Sequence, residues 1–326
     1  MASEPNNILV LGGTGFVGSV LCEKLVRRGG GSGRIAVPSR RVACAKHLQL
    51  LPTVELIDAD VHDDAQLARL VAGCDAVVNL VAILHGTQAD FDHAHVSLAG
   101  KIARACKAAG VPRVVHVSAL GAGAGAASMY QRSKAQGEAA LAVGELELAI
   151  LRPSVVFGEG DQFLNLFAKL QAVFPVMPLA GANTRFQPVW VEDVAQALIE
   201  LVRRQAAGAF ATGAASVFEA CGPDVYTLRE LVQLAGTLSG HRRPVMPLPA
   251  ALGRLQAQMM EWLPGKTLMS RDNLDSMAVD NVASPGHAGL RELGIRASSL
   301  ATIAPTYLRP AIDDVGSARR RSAGRF

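Results

Sequence analysis

The segment 8–18 constrains the fold more than any other part of this chain. Its first four residues form an unbroken apolar run, which predicts a strand buried on both faces. Gly12, Gly15 and Gly18 follow, and an apolar pattern of helical spacing then continues to a stop at Gly29. A strand, a glycine turn and a helix in this order predict a dinucleotide-binding βαβ unit.

Each glycine of the turn has a separate physical role. Gly12 permits the tight turn, Gly15 lets a pyrophosphate approach the backbone, and Gly18 lets the helix pack close to the strand. We expect the loop to hold the pyrophosphate at the helix N-terminus, where N–H groups and the helix dipole favour anions. The loop residues assigned to this site are Gly12, Thr14, Gly15, Phe16, Val17 and Gly18.

Strands and helices alternate after this unit. Apolar runs predict strands at 34–38, 54–57, 75–81, 114–118 and 148–153. Helical patterns lie at 43–51, 65–71, 91–109 and 133–143. The alternation predicts an α/β fold with a doubly wound parallel sheet of the Rossmann type. Ligands of such sheets bind beyond the carboxyl ends of the strands, where the motifs described below all fall.

The 326 residues are enough for about two domains. We predict a dinucleotide-binding domain at 6–155, with 184–222 packing back onto it. Residues 156–183 and 223–310 would form a smaller, mostly helical substrate lobe, and 311–326 a basic, flexible tail.

Three local patterns are predicted inside the substrate lobe. The pattern at 161–173 predicts an amphipathic helix, and the prolines of 174–179 predict a broken loop. Thr227, with Glu230 three residues later, predicts a capping box at the start of another helix.

The end of the second strand bears on the choice of cofactor. An NAD site places an acidic residue about 20 residues past the glycines, on the ribose hydroxyls. The sequence has Ser39, Arg40 and Arg41 there, which favours the 2′-phosphate of NADP(H) over NAD(H). The alternative is that both arginines are solvated charges. After the third strand, Asp60 and Val61 are placed to meet an adenine edge, unless Asp60 only caps the next helix.

Candidate catalytic residues follow the fifth strand. Tyr130 and Lys134 are four residues apart, so they would share one helix face. A nearby ammonium would lower the tyrosine pKa and make the phenol a proton donor or acceptor near neutral pH. Lys134 would also hydrogen-bond the nicotinamide ribose, and Ser118 would hold a substrate oxygen.

Composition excludes several classes of function. Aromatic residues make up only 5% of the chain and the net charge is +4, so we expect no nucleic-acid partner. The five cysteines lie far apart without a CxxC pair, which favours free thiols in a reducing compartment over disulfides or a metal site. The short polar N-terminus does not resemble a signal peptide, so we expect a cytoplasmic protein.

An apolar stripe in the second half of the chain has two interpretations. The plain one is a helix that covers the core of the substrate lobe. The other is an exposed lid through which residues 246–269 contact a membrane surface or a protein complex, peripheral at the inner face of the membrane. The stripe consists of Leu248, Leu252, Leu255, Met259 and Trp262, and its basic fringe of Arg242, Arg243, Arg254 and Lys266.

The ordered set of motifs resembles the extended or atypical short-chain dehydrogenase/reductase family, which is NAD-dependent epimerase/dehydratase-like. The resemblance covers roughly residues 6–225, through the segments 12–18, 60–61, 79–82, 116–118, 130–134, 151–158 and 189–195. The segments 83–86, 158–165 and 185–189 are similar to the branch of the NADPH-binding accessory subunit of respiratory complex I and its bacterial relatives.

The resemblance implies further site residues. It places Ala82 beside the ribose of the cofactor, with Val81 also among the cofactor-binding residues, and Pro153 and Ser154 near the nicotinamide. It makes Tyr130 the general acid/base, with Lys134 as its modulator and Ser118 as the substrate hydrogen bonder. The family's relay asparagine falls at about His95 in this chain, where a histidine either relays protons or is an ordinary helix-end residue.

Three functional hypotheses result. The first is an oxidoreductase that acts on a carbonyl or alcohol of a small lipophilic substrate, such as a quinone-related compound. The reason is that we expect the pocket to be lined by few charges. The second is a non-turnover NADPH-binding accessory or assembly protein of a respiratory or quinone-biosynthesis complex, because that branch binds nucleotide without an established turnover. The third is a nucleotide-sugar epimerase/dehydratase-like enzyme, which would need a diphosphate clamp that the sequence does not display.

Overall fold

The computed structural model describes residues 6–30, 32–143, 145–262 and 269–309. Its strands are β1 (Asn7–Leu11), β2 (Arg34–Ser39), β3 (Val54–Asp58), β4 (Ala76–Asn79), β5 (Arg113–Val117), β6 (Glu147–Pro153), β7 (Val156–Phe157), β8 (Met177–Leu179), β9 (Arg185–Phe186), β10 (Val189–Trp190), β11 (Ala215–Ala220), β12 (Tyr226–Thr227), β13 (Val245–Pro247) and β14 (Ala288–Gly289). Its helices are α1 (Phe16–Gly29), α2 (Lys46–Gln49), α3 (Asp64–Val71), α4 (Gln88–Phe91), α5 (Leu98–Ala109), α6 (Met129–Ala142), α7 (Leu164–Val173), α8 (Val191–Ala206), α9 (Leu228–Leu238), α10 (Ala250–Trp262), α11 (Arg271–Ser276) and α12 (Leu300–Leu308). The predicted tail 311–326 lies outside the described residues.

Within the described residues, a sheet of eight parallel strands forms the centre of the molecule. Its order is β14-β11-β6-β5-β4-β1-β2-β3. Leu9, Val10 and Leu11 of β1 are fully buried because the strand lies inside the sheet with helices on both faces. In the register, Val10 is opposite Val78 of β4. The predicted α/β fold with a Rossmann-type parallel sheet is confirmed.

Two apolar layers cover the faces of this sheet. On one face, α1 and α8 pack together, and α1 contributes Leu21 and Cys22. On the other face lie α3, α5 and α6, and α5 contributes Ile102 and Cys106. Both cysteines are buried free thiols, as their apolar surroundings in the sequence predicted.

The second lobe has an apolar cluster of its own. It is built from α7, α9 and α12, with the short strand pairs β7–β10, β8–β13 and β9–β12 at its margins. The predicted capping box is confirmed, because the Thr227 side chain accepts the Glu230 N–H while the Glu230 carboxylate accepts the Thr227 N–H. Among the helices that the structure describes, none is long and apolar enough to cross a membrane.

The helix predicted at 91–109 is longer and less regular than expected. It begins at Gln88, since Thr87 caps it in a box with Asp90. A π-helical turn at Asp92–Ser97 then joins α4 to α5. Such π-helical turns are rare in proteins, and those that occur are often found at functional sites.

Two predictions in the substrate lobe need correction. The helix predicted from 161 begins only at Leu164. The Asp161 carboxylate lies outside it and accepts the N–H groups of Phe163, just before the helix, and of Asn165, in its first turn. The segment 174–179 is not entirely loop. It contains β8, which pairs in parallel with β13, a partner that lies too far along the chain for local patterns to reveal.

The structure excludes one of the two interpretations of the apolar stripe, and its contact with a membrane or a protein complex stays a prediction. In α10 the buried residues are the small Gly253 and Ala257. Leu252, Leu255 and Trp262 of the stripe are exposed. The interpretation as a core-covering helix is therefore wrong. Lys266, part of the expected basic fringe, lies outside the described residues.

Candidate functional site

The glycine turn between β1 and α1 is shaped for a pyrophosphate. Gly12 has φ +79°, and a Cβ there would lie 3.0 Å from the carbonyl carbon of Leu80. A Cβ on Gly18 would collide with the carbonyl oxygen of Gly12. Gly15 precedes α1 without any side-chain cap, so the first N–H groups of the helix remain for an anion. The residues present therefore fit a dinucleotide.

The parallel sheet brings the other predicted cofactor residues to the same edge. Neighbouring parallel strands end at the same side of the sheet. Residues that follow these strands therefore lie at one common edge. The pairs are Arg40 and Arg41 after β2, Asp60 and Val61 after β3, Val81 and Ala82 after β4, and Pro153 and Ser154 at the end of β6. Thr14 of the turn and Phe16 and Val17 of the first turn of α1 are half-buried and lie at this edge after β1.

The end of β2 presents two exposed guanidinium groups. Arg40 and Arg41 are both exposed, and the Arg41 N–H donates to Ser39 Oγ at 3.2 Å, which fixes the turn. An acidic residue, Asp58, is opposite Ser39 on β3. The sequence pattern did not reveal this neighbour, since it belongs to the next strand.

Asp60 does not cap the helix that follows it. That cap is Asp63, whose carboxylate accepts the Gln66 N–H at 2.8 Å. Asp60 instead accepts the His62 N–H at 3.0 Å and so closes a local turn. The capping alternative for Asp60 is thus wrong, and the adenine contact stays a prediction.

Helix α6 brings the candidate catalytic residues to the end of β5. It begins at Met129, earlier than the predicted 133, so Tyr130 and Lys134 lie on one helix. Lys134 is buried, and its Nζ donates to the carbonyl of Val117 at 3.1 Å. This places the ammonium next to Ser118, whose buried Oγ has no hydrogen-bond partner within the described residues.

Burial sets the protonation of this pair. It raises the pKa of Tyr130 to about 12, and it lowers the pKa of Lys134 to about 8 against the opposing charge of Glu138. The expectation of a lowered tyrosine pKa is wrong for this structure, because desolvation dominates and Lys134 reaches a backbone carbonyl. At pH 7 the phenol is therefore neutral and the lysine charged.

His95 lies in the π-helical turn and not at a helix end. Its Nε2 accepts the Ile83 N–H at 3.1 Å, so the neutral ring carries its proton on Nδ1, 2.8 Å from Ser133 Oγ. The Ser133 hydroxyl in turn donates to the carbonyl of Tyr130 at 2.8 Å. Burial, and secondarily the charge of Lys134, lowers the pKa of His95 to about 3. The ring is therefore fixed and neutral, and it positions the start of α6.

A second buried histidine was missed by the sequence reasoning. His116 of β5 is opposite Asn79 of β4, and Asn79 Nδ2 lies 3.2 Å from His116 Nδ1. Asn79 Oδ1 accepts the Val81 N–H at 3.1 Å. The signal for this pair was the polar residue near the end of each apolar run. His116 Nε2 and Ser118 Oγ are both buried without a partner among the described residues, which marks a place for a ligand or water.

Ser154 has a structural bond that the resemblance did not suggest. Its Oγ donates to Asn281 Oδ1 at 2.6 Å, and its N–H donates to the carbonyl of Ala220 at 2.9 Å. The hydroxyl therefore joins the end of β6 to the second lobe. Contact of Pro153 and Ser154 with a nicotinamide stays a prediction.

A partly buried ion pair holds α6 against the sheet. Arg152 of β6 makes two hydrogen bonds to the carboxylate of Glu138, at 2.9 and 2.6 Å. The bidentate geometry fixes orientation as well as distance. Sequence reasoning missed this pair, since nothing local links residues on a helix and the next strand.

A cavity of about 340 Å³ opens beside the start of α6. The Phe91 ring lines it and lies 6.2 Å from the Tyr130 ring, centroid to centroid. The expectation of few charges is wrong for this cavity. Its charged lining residues are Arg132, Arg254, Arg271, Glu261, Asp272 and Asp275.

Most of these charges are bound within the protein. Arg254 pairs with Asp275 at 3.0 Å, and Arg271 pairs with Glu261 at 3.0 Å. Arg132 donates to the carbonyl oxygens of Ala126 and Ala127. The cavity therefore has a charged lining but compensated charge.

Asp272 links the second lobe directly to the candidate catalytic helix. Its carboxylate accepts the Met129 N–H at 2.5 Å and the Tyr130 N–H at 3.1 Å. It lies in α11, far along the chain from α6, and no sequence pattern indicated the contact.

Comparison with known proteins identifies the family. The profile of the NAD dependent epimerase/dehydratase family matches residues 8–212. The chain belongs to this family. The resemblance to extended short-chain dehydrogenases/reductases is confirmed, and a nicotinamide dinucleotide is the class of cofactor that the family and the glycine turn support.

Relatives and solved structures agree with this placement. The chain is 30% identical over 298 residues to the mouse NADH dehydrogenase [ubiquinone] 1 alpha subcomplex subunit 9, covering 89% of this chain and 76% of that protein. It is 29% identical over 252 residues to the ceramide reductase of Caulobacter vibrioides, covering 76% of each. A dTDP-glucose 4,6-dehydratase from Streptomyces venezuelae, solved with NAD, has the same fold with a TM-score of 0.72, 20% identity, and coverage of 92% of this chain and 95% of that one. The predicted similarity to the complex I accessory subunit is confirmed.

Proposed function

We propose that this protein is an NADP(H)-dependent oxidoreductase that reduces a carbonyl group, with Tyr130 as general acid. One observation carries the proposal. A neutral phenol, a charged lysine on the same helix and a buried serine hydroxyl without a partner occur together at the carboxyl edge of the sheet.

The residues suggest the following chemistry. When bound at the glycine turn, a reduced nicotinamide dinucleotide would supply the hydride for the carbonyl carbon. The Ser118 hydroxyl donates a hydrogen bond to the carbonyl oxygen, and the Tyr130 phenol gives its proton to the oxygen as negative charge develops there. The Lys134 ammonium stabilises the phenolate that remains.

We propose NADP(H) as the cofactor, with NAD(H) as the weaker ligand. The support is the pair of exposed guanidinium groups, Arg40 and Arg41, where an NAD site would carry an acid. Arginines suit a 2′-phosphate because their planar donors form charge-assisted hydrogen bonds with its oxygens.

We propose a small lipophilic substrate, of which a quinone-related compound is one candidate. The cavity beside Tyr130 has apolar walls at Phe91 and Met129, and its ion pairs leave little net charge to hold an anionic substrate. The relative named ceramide reductase supports a lipid carbonyl. The nucleotide-sugar alternative has less support, because the cavity arginines already bind carboxylates or carbonyls.

A second candidate function is a non-turnover NADPH-binding accessory or assembly protein. The relatives named as subunits of NADH dehydrogenase favour it. In that case residues 246–269 would contact a protein complex, and the protein would be cytoplasmic and peripheral at the inner face of the membrane. Nucleotide would then stay bound and reduced.

The test compares Tyr130→Phe with the parent. We expect NADPH affinity to be nearly unchanged and oxidation of bound NADPH by lipophilic ketones or quinones to slow by a factor on the order of 10² to 10⁴. Tyr226→Phe, a half-buried tyrosine in β12, is the matched control and should turn over like the parent. Equal rates for Tyr130→Phe and the parent would remove Tyr130 from the mechanism. Failure of every substrate to oxidise bound NADPH would favour the accessory function.

A further inference from the structure

Helix α10 has its large apolar side chains on the outside. Leu252, Leu255, Met259 and Trp262 are 53%, 55%, 59% and 76% exposed. Their spacings of three and four residues place them on one face of the helix. Soluble proteins usually bury such a face, so a continuous exposed stripe indicates a surface that binds something.

The exposure does not arise because the helix is detached from the protein. Its opposite face is seated, since Gly253 and Ala257 are buried and a Cβ on Gly253 would lie only 2.5 Å from Ala180 Cβ. Two ion pairs hold α10 to α11. Arg254 pairs with Asp275, and Glu261 pairs with Arg271, the first residue of α11. Because the small residues of α10 pack against the protein, its large apolar residues face solvent.

The charges around the stripe favour an anionic partner. Arg254 is the one charged residue among the exposed residues of α10, and it pairs with Asp275 at 3.0 Å. Between residues 241 and 276 the sequence has five lysines or arginines and three acids, Glu261, Asp272 and Asp275, so this segment keeps an excess of positive charge. A second copy of the same face would bring these like charges together, whereas an anionic lipid surface attracts them.

We propose that α10 docks the protein on an anionic lipid bilayer, with the stripe inserted among the headgroups. Trp262 at its end suits the boundary between apolar and polar regions of a membrane. Arg254 and Glu261 of the same helix line the cavity beside Tyr130, so α10 lies between that cavity and the bilayer. Resting on the proposed function, this assigns the bilayer as the source of the lipophilic substrate.

The test is co-sedimentation of the full chain with vesicles. We expect binding to phosphatidylcholine vesicles containing about a third phosphatidylglycerol, weaker binding at high salt, and little binding to pure phosphatidylcholine. The double variant Leu255→Glu/Met259→Glu should bind at least about tenfold more weakly. Leu50→Glu, which places the same charge at an 85% exposed apolar residue after α2, is the matched control and should bind like the parent.

A second measurement follows the tryptophan fluorescence of the parent chain, so it remains informative even if the double variant misfolds. Brominated lipids should quench tryptophan fluorescence of the parent on docking, and the quenching should be lost in Trp262→Phe, which keeps Trp190. Absence of binding to anionic vesicles at low salt, or equal binding by the double variant, overturns the proposal. So does a dimer that the double variant abolishes, because the stripe would then join two copies.

The docking proposal and the proposed oxidoreductase function can be overturned separately. Docking is measured without turnover, and reduction of a short-chain soluble ketone is measured without vesicles. We expect the double variant to keep the NADPH affinity of the parent.

Discussion

Lys134 is a cation held in a place that water does not reach. Its side chain is buried, and its pKa falls from 10.5 to about 8. The charged form therefore costs free energy in the folded state, and this cost is fully present below about pH 8. Between about pH 8 and 10.5 the unfolded chain holds the proton and the folded chain has lost it, so stability rises with pH across that window.

Replacing Lys134 with Met should remove this pH dependence. At pH 7 we expect Lys134→Met to be more stable than the parent by up to about 3 kcal/mol, less the lost hydrogen bond to Val117, with the difference shrinking towards pH 10. Urea unfolding at both pH values measures it. Lys107→Met, at an exposed position of α5, is the control for loss of a surface lysine. A difference from the parent that is the same at both pH values would contradict the buried-charge account.

Arg40 and Arg41 decide the cofactor in the proposed function. Replacing both with Ala should weaken NADPH binding by about 2–3 kcal/mol, for loss of charge-assisted hydrogen bonds, and leave NADH binding nearly unchanged. Titration with each nucleotide measures both dissociation constants. Arg27→Ala, another exposed arginine of the same lobe, should change neither. Equal affinities of the parent for NADPH and NADH would argue against the assignment.

At the scale of elements, α6 is held from three directions. Glu138 binds Arg152 of β6, Ser133 bonds to His95 of the π-helical turn, and Asp272 of α11 accepts two N–H groups at the start of the helix. A carboxylate at a helix N-terminus is stabilised by the dipole as well as by hydrogen bonds. The segment that carries α10 and α11 is thus joined to the helix that carries Tyr130.

Removing the Asp272 carboxylate should weaken the contact between α11 and the start of α6. We expect Asp272→Ala to lower the free energy of unfolding by about 1–2 kcal/mol and to speed hydrogen exchange at the Met129 and Tyr130 amides. Asp63→Ala, the cap of α3, is the matched control. It should cost a similar free energy without changing exchange in α6. Unchanged protection of the two α6 amides in Asp272→Ala would mean that this contact does not form in solution.

At the scale of the whole molecule, the second lobe lies at the edge of the central sheet where the predicted cofactor residues are. The predicted cofactor residues lie at the ends of strands of the central sheet, while the cavity lies between α6 and the segment of α10 and α11. Ser154 bonds to Asn281, and Asp193 of α8 accepts the Ser298 N–H at 2.7 Å, so side chains bind the lobes together. Residues of α10 and α11 in the second lobe therefore form part of the cavity wall.

The sequence by itself determined the features that depend on neighbours along the chain. The β1–glycine turn–α1 unit, the alternation of strands and helices and the capping box at Thr227 follow from periodicity and local hydrogen bonds, so they were predicted correctly. The parallel order of the strands then placed the motif residues at one edge. Helix ends shifted where a cap such as Ser128 was not recognised.

Only the tertiary structure decided the rest, because the rest depends on burial and on partners far apart in sequence. Asp272 is 142 residues from Tyr130, and no local pattern encodes their bond. The raised pKa of Tyr130 reflects desolvation by surroundings that the spacing to Lys134 does not describe. The stripe on α10 has the same periodicity whether it faces the core or solvent, and the packing of Gly253 against Ala180 is what turned it outward.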